Sequence, residues 1–155
     1  DEIWNRKFSN DGIFKYFDYE WHHIKSDDIQ NIGDIVKVTI DPFDATRIYA
    51  NAWGTGILQL TNDQLDTIWD IENTNGILQA AVGSGSTDVR TGGLTFDSDG
   101  NMWITNSLCE RPLVVRYKDN GEWANFGLGS LATGSKAFKD IKIISGNSNK
   151  STIIA

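Results

Sequence analysis

Aspartate and asparagine side chains crowd the stretch TFDSDGNMWITN, where Asp97, Asp99 and Asn101 place oxygen atoms at alternate positions. Alternate oxygens begin the calcium loop of an EF-hand, which also needs a glycine at position 6 and a glutamate at position 12. Here Gly100 falls at position 4 and Leu108 at position 12. Glycine and asparagine tolerate positive φ, and aspartate can accept hydrogen bonds from the amides of a turn. We therefore predict a tight turn and no metal site, with Asp97, Asp99 and Asn101 as the metal candidate left open.

The histidines and glutamates are the groups that acid–base chemistry would use. His22 and His23 are adjacent, and neighbouring residues of a β-strand point to opposite faces, so the two cannot readily hold one metal. Glycoside hydrolysis needs two carboxyl groups that face each other across a pocket. Such a pair is not evident in the positions of Glu20, Glu110 and Glu122. We predict no catalytic residue and no cofactor.

Composition restricts the classes of protein to which the chain can belong. Its 155 residues are the length of one ordinary domain, and a hydrophobic fraction of 39% is enough for a packed core. The net charge of -7 disfavours nucleic acid as a partner, because phosphate contacts need clustered lysine and arginine. The single cysteine, Cys109, rules out an internal disulfide, and no apolar run reaches the roughly 18 residues of a membrane helix.

The chain contains internal repeats, which decide the fold class. The stretch VTIDPFDATRIYANAW (38–53) matches LTFDSDGNMWITNS (94–107), with Asp41 over Asp97. The match continues downstream, where GILQLTNDQLDTIWDI resembles PLVVRYKDNGEWANF. Incomplete copies lie at the front, GIFKYFDYEWHHI, and at the back, DIKIISGNSNKSTIIA. Each copy consists of short apolar runs separated by Asn, Asp, Gly or Pro, as strands joined by hairpin turns require.

Four short strands per copy, in tandem, are the pattern of β-propeller blades. We predict an all-β fold, a β-propeller fragment with about three blades' worth of four-stranded antiparallel sheets. Three blades would leave open sheet edges, so we expect the chain to be part of a larger propeller. The predicted division is strands B to D of one blade at 1–28, a second blade at 34–71, a long loop at 72–91 with a short strand at Ile77-Leu78, a third blade at 92–126, and the start of a fourth at 139–155.

The second full copy resembles the blade of the two-component regulator propeller family, found in surface and periplasmic proteins of Bacteroidetes. The matching residues are Gly93, Leu94, Asp97, Gly100, Asn101, Met102, Trp103 and Ile104. A Trp53-Gly54-x-Gly56-Ile57 element in the first full copy, together with the long loop, makes the chain most similar to the propeller of PorZ-like proteins of the type IX secretion system. The resemblance covers 34–155, and the front copy lacks the Trp-Gly-x-Gly element.

This resemblance implies a binding or scaffold module without catalysis. For a PorZ-like protein it implies the cell surface and contact with a glycolipid, with lipopolysaccharide or with a protein of the complex that attaches secreted cargo. For the related sensors it implies the periplasmic propeller of a hybrid two-component system that recognises an oligosaccharide. A polysaccharide-active enzyme on the same fold is a third possibility. The resemblance thus implies an extracytoplasmic chain whose partners include the remaining blades of its parent.

Three residues are predicted to bind a ligand: Asn51, Trp53 and Asn106. Trp53 lies in the turn after strand B, where propeller loops form binding faces, and the matching copy has Ser107 in its place. An exposed indole there can stack on a sugar ring or on a partner protein. The alternative is a tryptophan that covers the channel-side end of its blade.

The other tryptophans are predicted to be structural. Trp4, Tyr49 and Trp103 occupy one repeat position, which is most economically a core position between blades. Trp69 and Trp123 are predicted to share another position, on the outer strand, from which they pack against the neighbouring blade.

Overall fold

The computed structural model describes residues 6–132, 137–144 and 151–154, and it confirms the predicted all-β class. Those ranges contain no α-helix. The strands are β1 (Ile13–Phe17), β2 (Glu20–Ile24), β3 (Ile35–Asp41), β4 (Asp44–Gly54), β5 (Gly56–Thr61), β6 (Gln64–Trp69), β7 (Val89–Phe96), β8 (Met102–Asn106), β9 (Leu113–Arg116), β10 (Trp123–Phe126), β11 (Ile141–Ile144) and β12 (Ser151–Ile154). Short 3-10 helices span Ser26–Ile29 and Gly129–Ala132.

Sheet I is the antiparallel meander β3–β4–β5–β6. Successive residues of a strand face opposite sides, so both faces of a sheet can be apolar when both are covered. Ile48, Leu58 and Leu60 are buried on one face. Tyr49 and Ile57 are buried on the other. Sheet I is therefore packed between two neighbours.

Sheet II is the meander β7–β8–β9–β10, and it forms one of those neighbours. A short antiparallel pairing joins the sheets, with Trp53 of β4 opposite Arg90 of β7. Beyond this junction the sheets pack face to face, and Tyr49 of sheet I lies in one core with Leu94 and Ile104 of sheet II. Two four-stranded meanders thus stack in the order of the chain.

Two hairpins continue the stack at either side. The hairpin β1–β2 covers the other face of sheet I with Ile13 and Ile24, and Ile29 of the first 3-10 helix joins them. The hairpin β11–β12 packs against β7, where Ile141 is buried. Face-to-face stacking of tandem antiparallel sheets is the arrangement of a β-propeller, so the described residues have a propeller-like architecture.

The stack has two ends, which we name by their connections. The turn end carries the turns β3–β4, β5–β6, β7–β8 and β9–β10, and the loop end carries the β4–β5 turn, the β8–β9 connection and the segment 70–88. The short strand predicted at Ile77-Leu78 is absent from that segment. The amide of Ile77 donates instead to the carbonyl of Thr74 at 3.1 Å, which closes a turn and directs Leu78 into the core between the sheets.

The predicted equivalence of the outer tryptophans is wrong. Trp69 pairs with Ile57 at the last position of β6, whereas Trp123 pairs with Arg116 at the first position of β10. The turn between β9 and β10 is longer than the turn between β5 and β6, and the β5–β6 pairing also contains a register shift. An alignment that places Trp69 over Trp123 therefore puts the two outer strands out of register. The equivalence of Tyr49 and Trp103 is confirmed, because Tyr49 pairs with Thr39 and Trp103 pairs with the matching Thr95. Trp4 lies outside the described residues.

Candidate functional site

The turn between β7 and β8 is built around the carboxylate of Asp97. One oxygen accepts the main-chain N–H groups of Asp99 and Asn101, each at 2.9 Å. The other accepts the Asn101 amide at 2.9 Å and the indole N–H of Trp103 at 3.0 Å. Burial acts to raise the pKa of Asp97, but these hydrogen bonds outweigh it and hold the pKa below its usual value. The carboxylate therefore organises the turn and fixes Trp103.

These contacts favour the turn over the metal candidate. Four donors already occupy the oxygens of Asp97, so a cation would have to displace them. Asp41 has the matching position in sheet I and likewise accepts the amide of Phe43, at 2.9 Å. Among the described residues, no three His, Cys, Asp or Glu side chains form a group that could hold a metal.

The two histidines lie on opposite faces of β2, as predicted. The ring of His23 stacks on Phe14 with centroids 4.3 Å apart, and His22 lies beside Phe17 at 6.4 Å. A metal bound by one imidazole would be on the wrong side of the strand for the other.

The remaining reactive groups are spread over the fold. Glu110 precedes β9 and Glu122 follows it, so they lie at opposite ends of that strand, and Glu20 is on β2. The thiol of Cys109 is buried and donates to the carbonyl of Asn106 at 3.0 Å. Buried thiols with this kind of partner are ordinarily unreactive.

Trp53 is buried, with 3% of its surface exposed, so the exposed indole predicted at this position is wrong. The guanidinium of Arg90 lies 5.5 Å from the centre of the indole ring. Asp88 holds that guanidinium through Nε at 3.1 Å and Nη2 at 2.8 Å. Because the cover comes from the next sheet, the local motif around Trp53 does not reveal it. The indole is therefore part of the packing where the two sheets join.

Asn51 and Asn106 are fully buried and have different surroundings. The Asn106 amide oxygen accepts the N–H of Gln79 at 2.6 Å, and its nitrogen donates to the carbonyl of Gln79 at 3.1 Å. These bonds imitate strand pairing and fasten the segment 70–88 to sheet II. The side-chain amide of Asn51 has no hydrogen-bond partner among the described residues. Ligand binding by Asn51, Trp53 and Asn106 stays a prediction.

A cavity of about 360 Å³ opens at the loop end. Gly54 and Thr55 of the β4–β5 turn contribute one wall, and Asp70 and Glu72 contribute another. The carboxylate of Asp70 accepts the amide of Glu72 at 2.9 Å and so shapes its own turn. The described residues that line the cavity include two acids, Asp70 and Glu72, and no lysine or arginine, which disfavours an anion there.

A second cavity, of about 320 Å³, lies at the turn end between the two sheets, and we name it the interface cleft. It is lined by Asp41, Phe43, Asp44, Arg47 and Tyr49 of sheet I and by Phe96, Gly100, Met102, Arg116 and Lys118 of sheet II. Burial raises the pKa of Tyr49, and the charge of Asp41 adds to the rise, while Arg47 and Arg116 oppose it. The phenol of Tyr49 is therefore a neutral group in the cleft at neutral pH.

The outward side of the first hairpin is aromatic and exposed, and we name it the front face. Its residues are Phe14, Tyr16, Trp21 and His23. Besides the stacked Phe14 and His23, the rings of Tyr16 and Trp21 lie with centroids 5.2 Å apart. Large exposed apolar patches of this kind mark surfaces that pack against another element or partner.

Comparison with known proteins bears on the fold. No protein-family model that was searched matches the chain, and no curated protein matches it either. Among solved structures, the chain is similar to PorZ of Porphyromonas gingivalis, described as an essential bacterial surface component of the type-IX secretion system. The similarity has a TM-score of 0.68 at 16% sequence identity over 86% of this chain, which spans only 20% of that protein. The fold is thus shared with part of PorZ, and membership of the two-component regulator propeller family stays a prediction.

The described part of the chain also contains no helix with the length and apolar character needed to cross a membrane.

Proposed function

We propose that the chain is a non-catalytic binding or scaffold segment of a β-propeller in a PorZ-like surface component of type IX secretion. The observation that carries this proposal is the structural similarity to PorZ over 86% of the chain. The blade-like sequence around Asp97 to Ile104 adds support from a different source. In this proposal the protein is extracytoplasmic and contacts a glycolipid or a partner protein of a secretion complex.

The front face supports a scaffold role through the repeat. Phe14 and Tyr16 have the repeat positions of Leu58 and Leu60, which are fully buried by the hairpin that precedes sheet I. The front face repeats that apolar pattern but is 58% or more exposed at both rings. We therefore propose that a further sheet of the same propeller, contributed by the parent chain, packs on it.

A gene deletion tests the secretion role. The gene would be removed from the bacterium that encodes it, and release of type IX cargo to the surface and medium would be measured with and without the intact gene restored. We expect loss of release and its recovery. Normal cargo release in the deletion strain would overturn the proposal, as would a genome without type IX secretion genes.

Lysine substitution tests the packing of the front face in the intact parent protein. Tyr16→Lys should destabilise a parent in which this face is covered, because it buries a charge. The matched control is Tyr19→Lys in the β1–β2 turn, where the ring is 90% exposed and no loss is expected. Equal effects of the two substitutions would show that nothing covers the front face.

The sensor alternative predicts a different phenotype. A sensory propeller would leave cargo release intact and abolish the transcriptional response to oligosaccharides. Measurement of both outputs in one deletion strain distinguishes the two roles.

A further inference from the structure

The interface cleft contains an arginine where the repeat has an aliphatic core residue. At the height of the cleft, one row of paired residues runs across the strands of each sheet. In sheet I the row is Ile40, Ile48, Leu60 and Leu65. In sheet II the same row is Phe96, Met102, Arg116 and Trp123. Arg116 therefore stands at the position of Leu60, which is fully buried.

The surroundings of Arg116 hold its guanidinium in place without neutralising it. The rings of Trp69 and Trp123 lie 5.2 and 6.0 Å from the guanidinium carbon. The Nε atom of Arg116 is buried and has no hydrogen-bond partner among the described residues. The guanidinium also forms no ion pair with any carboxylate of the described residues. A buried donor without a partner is unfavourable, and the guanidinium keeps its full positive charge beside the cleft.

Lys118 adds a second positive charge to the same cleft. Its ammonium lies 4.4 Å from the centre of the Phe43 ring, and it too forms no ion pair with a carboxylate of the described residues. The acids of the cleft are already engaged, because Asp41 and Asp44 both contact Arg47, at 3.5 and 3.2 Å. Arg47 can balance only one of these two carboxylates, so the three cations and two acids among the described residues of the cleft leave a net charge of +1.

We propose that the interface cleft binds an oxyanion, a phosphate or carboxylate group, between Arg116 and Lys118. A guanidinium offers paired N–H donors that fit either group, and an ammonium adds charge. Phe43, Phe96 and Tyr49 form the less polar walls, which suit a ring-sized body attached to the anion. Such a site attracts an anion locally although the whole chain carries a charge of -7. The site would exist whether or not the protein takes part in secretion.

Calorimetric titration of the intact protein tests the proposal, with inorganic phosphate, glucuronate, glucose 6-phosphate and glucose as probes. We expect binding of at least one oxyanion, weakened by added salt, and no binding of neutral glucose. Equal affinity for phosphate and for the sugar phosphate would identify the oxyanion alone as the ligand, whereas tighter binding of the sugar phosphate or of glucuronate would identify an anionic sugar. Absence of binding by all three oxyanions would overturn the proposal.

Matched variants locate the site. Arg116→Leu installs the residue found at the equivalent position, and we expect at least a tenfold loss of affinity, about the value of one charge-assisted hydrogen bond. Arg111→Leu makes the same change in an exposed connection at the other end of β9 and should leave affinity unchanged. If Arg116→Leu does not fold, Lys118→Gln at an exposed position gives the same test through loss of charge. Unchanged affinity in the folded cleft variants would overturn the proposal.

Discussion

The indole rings of Trp69 and Trp123 meet between sheet I and sheet II, with centroids 5.3 Å apart and planes inclined by 55°. Tilted aromatic pairs at this separation are favourable beyond the area that they bury. Arg116 lies over both rings, so the three side chains form one unit at the outer edge of the two sheets. This unit makes packing between the sheets depend on residues far apart in the chain.

The first prediction concerns this unit. Trp69→Ala should lower the free energy of unfolding by about 2 to 4 kcal/mol, because it removes a half-buried indole and leaves a cavity. Tyr19→Ala is the control, since that residue is 90% exposed in the β1–β2 turn and its loss should change stability little. Urea unfolding of both variants measures the difference. Equal losses would show that the packing of Trp69 does not stabilise the sheets.

The second prediction concerns Gly93 on β7. A Cβ at this position would lie 2.5 Å from the amide nitrogen of Ile141 and 2.7 Å from the Cα of Asp140. Gly93→Ala should therefore destabilise the chain by about 1 to 3 kcal/mol through forced separation of β11 from sheet II. Gly85→Ala is the control, because its Cβ would meet nothing within 4 Å. In thermal unfolding, the Tm of Gly93→Ala should be lower than that of the wild type, and the Tm of Gly85→Ala should be equal to it or higher.

The third prediction concerns the turn at Asp97. Asp97→Asn replaces one acceptor oxygen with a donor that faces other N–H groups, so we expect a loss of about 1 to 3 kcal/mol of stability. The emission of Trp103 should shift as well, because its indole N–H donates to the same carboxylate. Asp99→Asn at the exposed neighbouring position keeps its main-chain bond to Asp97 and should have little effect. A wild-type unfolding curve for Asp97→Asn would contradict the role of this carboxylate.

The fourth prediction is a loss of stability in acid. Burial acts to raise the pKa of both Asp97 and Asp34, but hydrogen bonds lower each pKa by more. For Asp97 the strongest of these bonds is from the indole of Trp103, and for Asp34 they come foremost from the main-chain amides around Ser9. A carboxyl with a lowered pKa in the folded state stabilises the fold above its unfolded pKa of about 3.9 and loses that effect as pH falls through the folded value. Unfolding free energy should therefore be level near pH 6 and fall below about pH 4.

Asp97→Asn should show a shallower fall in that acid range, since one of the linked protons is absent. An acid profile identical to that of the wild type would contradict the assignment.

The fifth prediction concerns the segment 70–88. Asn106→Ala removes both bonds to the main chain of Gln79, so the amides of this segment should exchange hydrogen faster. Asn120→Ala in the exposed β9–β10 turn should leave that exchange unchanged. Hydrogen exchange read by mass spectrometry makes the comparison. Unaltered exchange at Gln79 in the Asn106 variant would show that other contacts hold the segment.

The sequence predicts those features that depend on neighbouring residues. The turn at Asp97 follows from residues within a few positions, and the strand pairings follow from repeated apolar runs. The offset of Trp69 from Trp123 does not, because it depends on turn length and on a register shift within β5 and β6. The burial of Trp53 also escapes prediction, since Arg90 reaches it from the next sheet. Arg116 could have been noticed, because an aligned repeat shows a charge where its partner has Leu60.

The inner and outer edges of the stack are spaced differently. At the inner strands the Thr39 hydroxyl reaches the carbonyl of Leu94 at 3.3 Å, and the backbone of residues 138–141 lies directly on Gly92 and Gly93. At the outer strands two indoles and a guanidinium separate sheet I from sheet II. Each layer is therefore a wedge, and a succession of wedges must curve. Side-chain size along β7 and β10 thus sets the angle between successive layers, and substitutions at these two edges would change the radius of the ring that such layers can close.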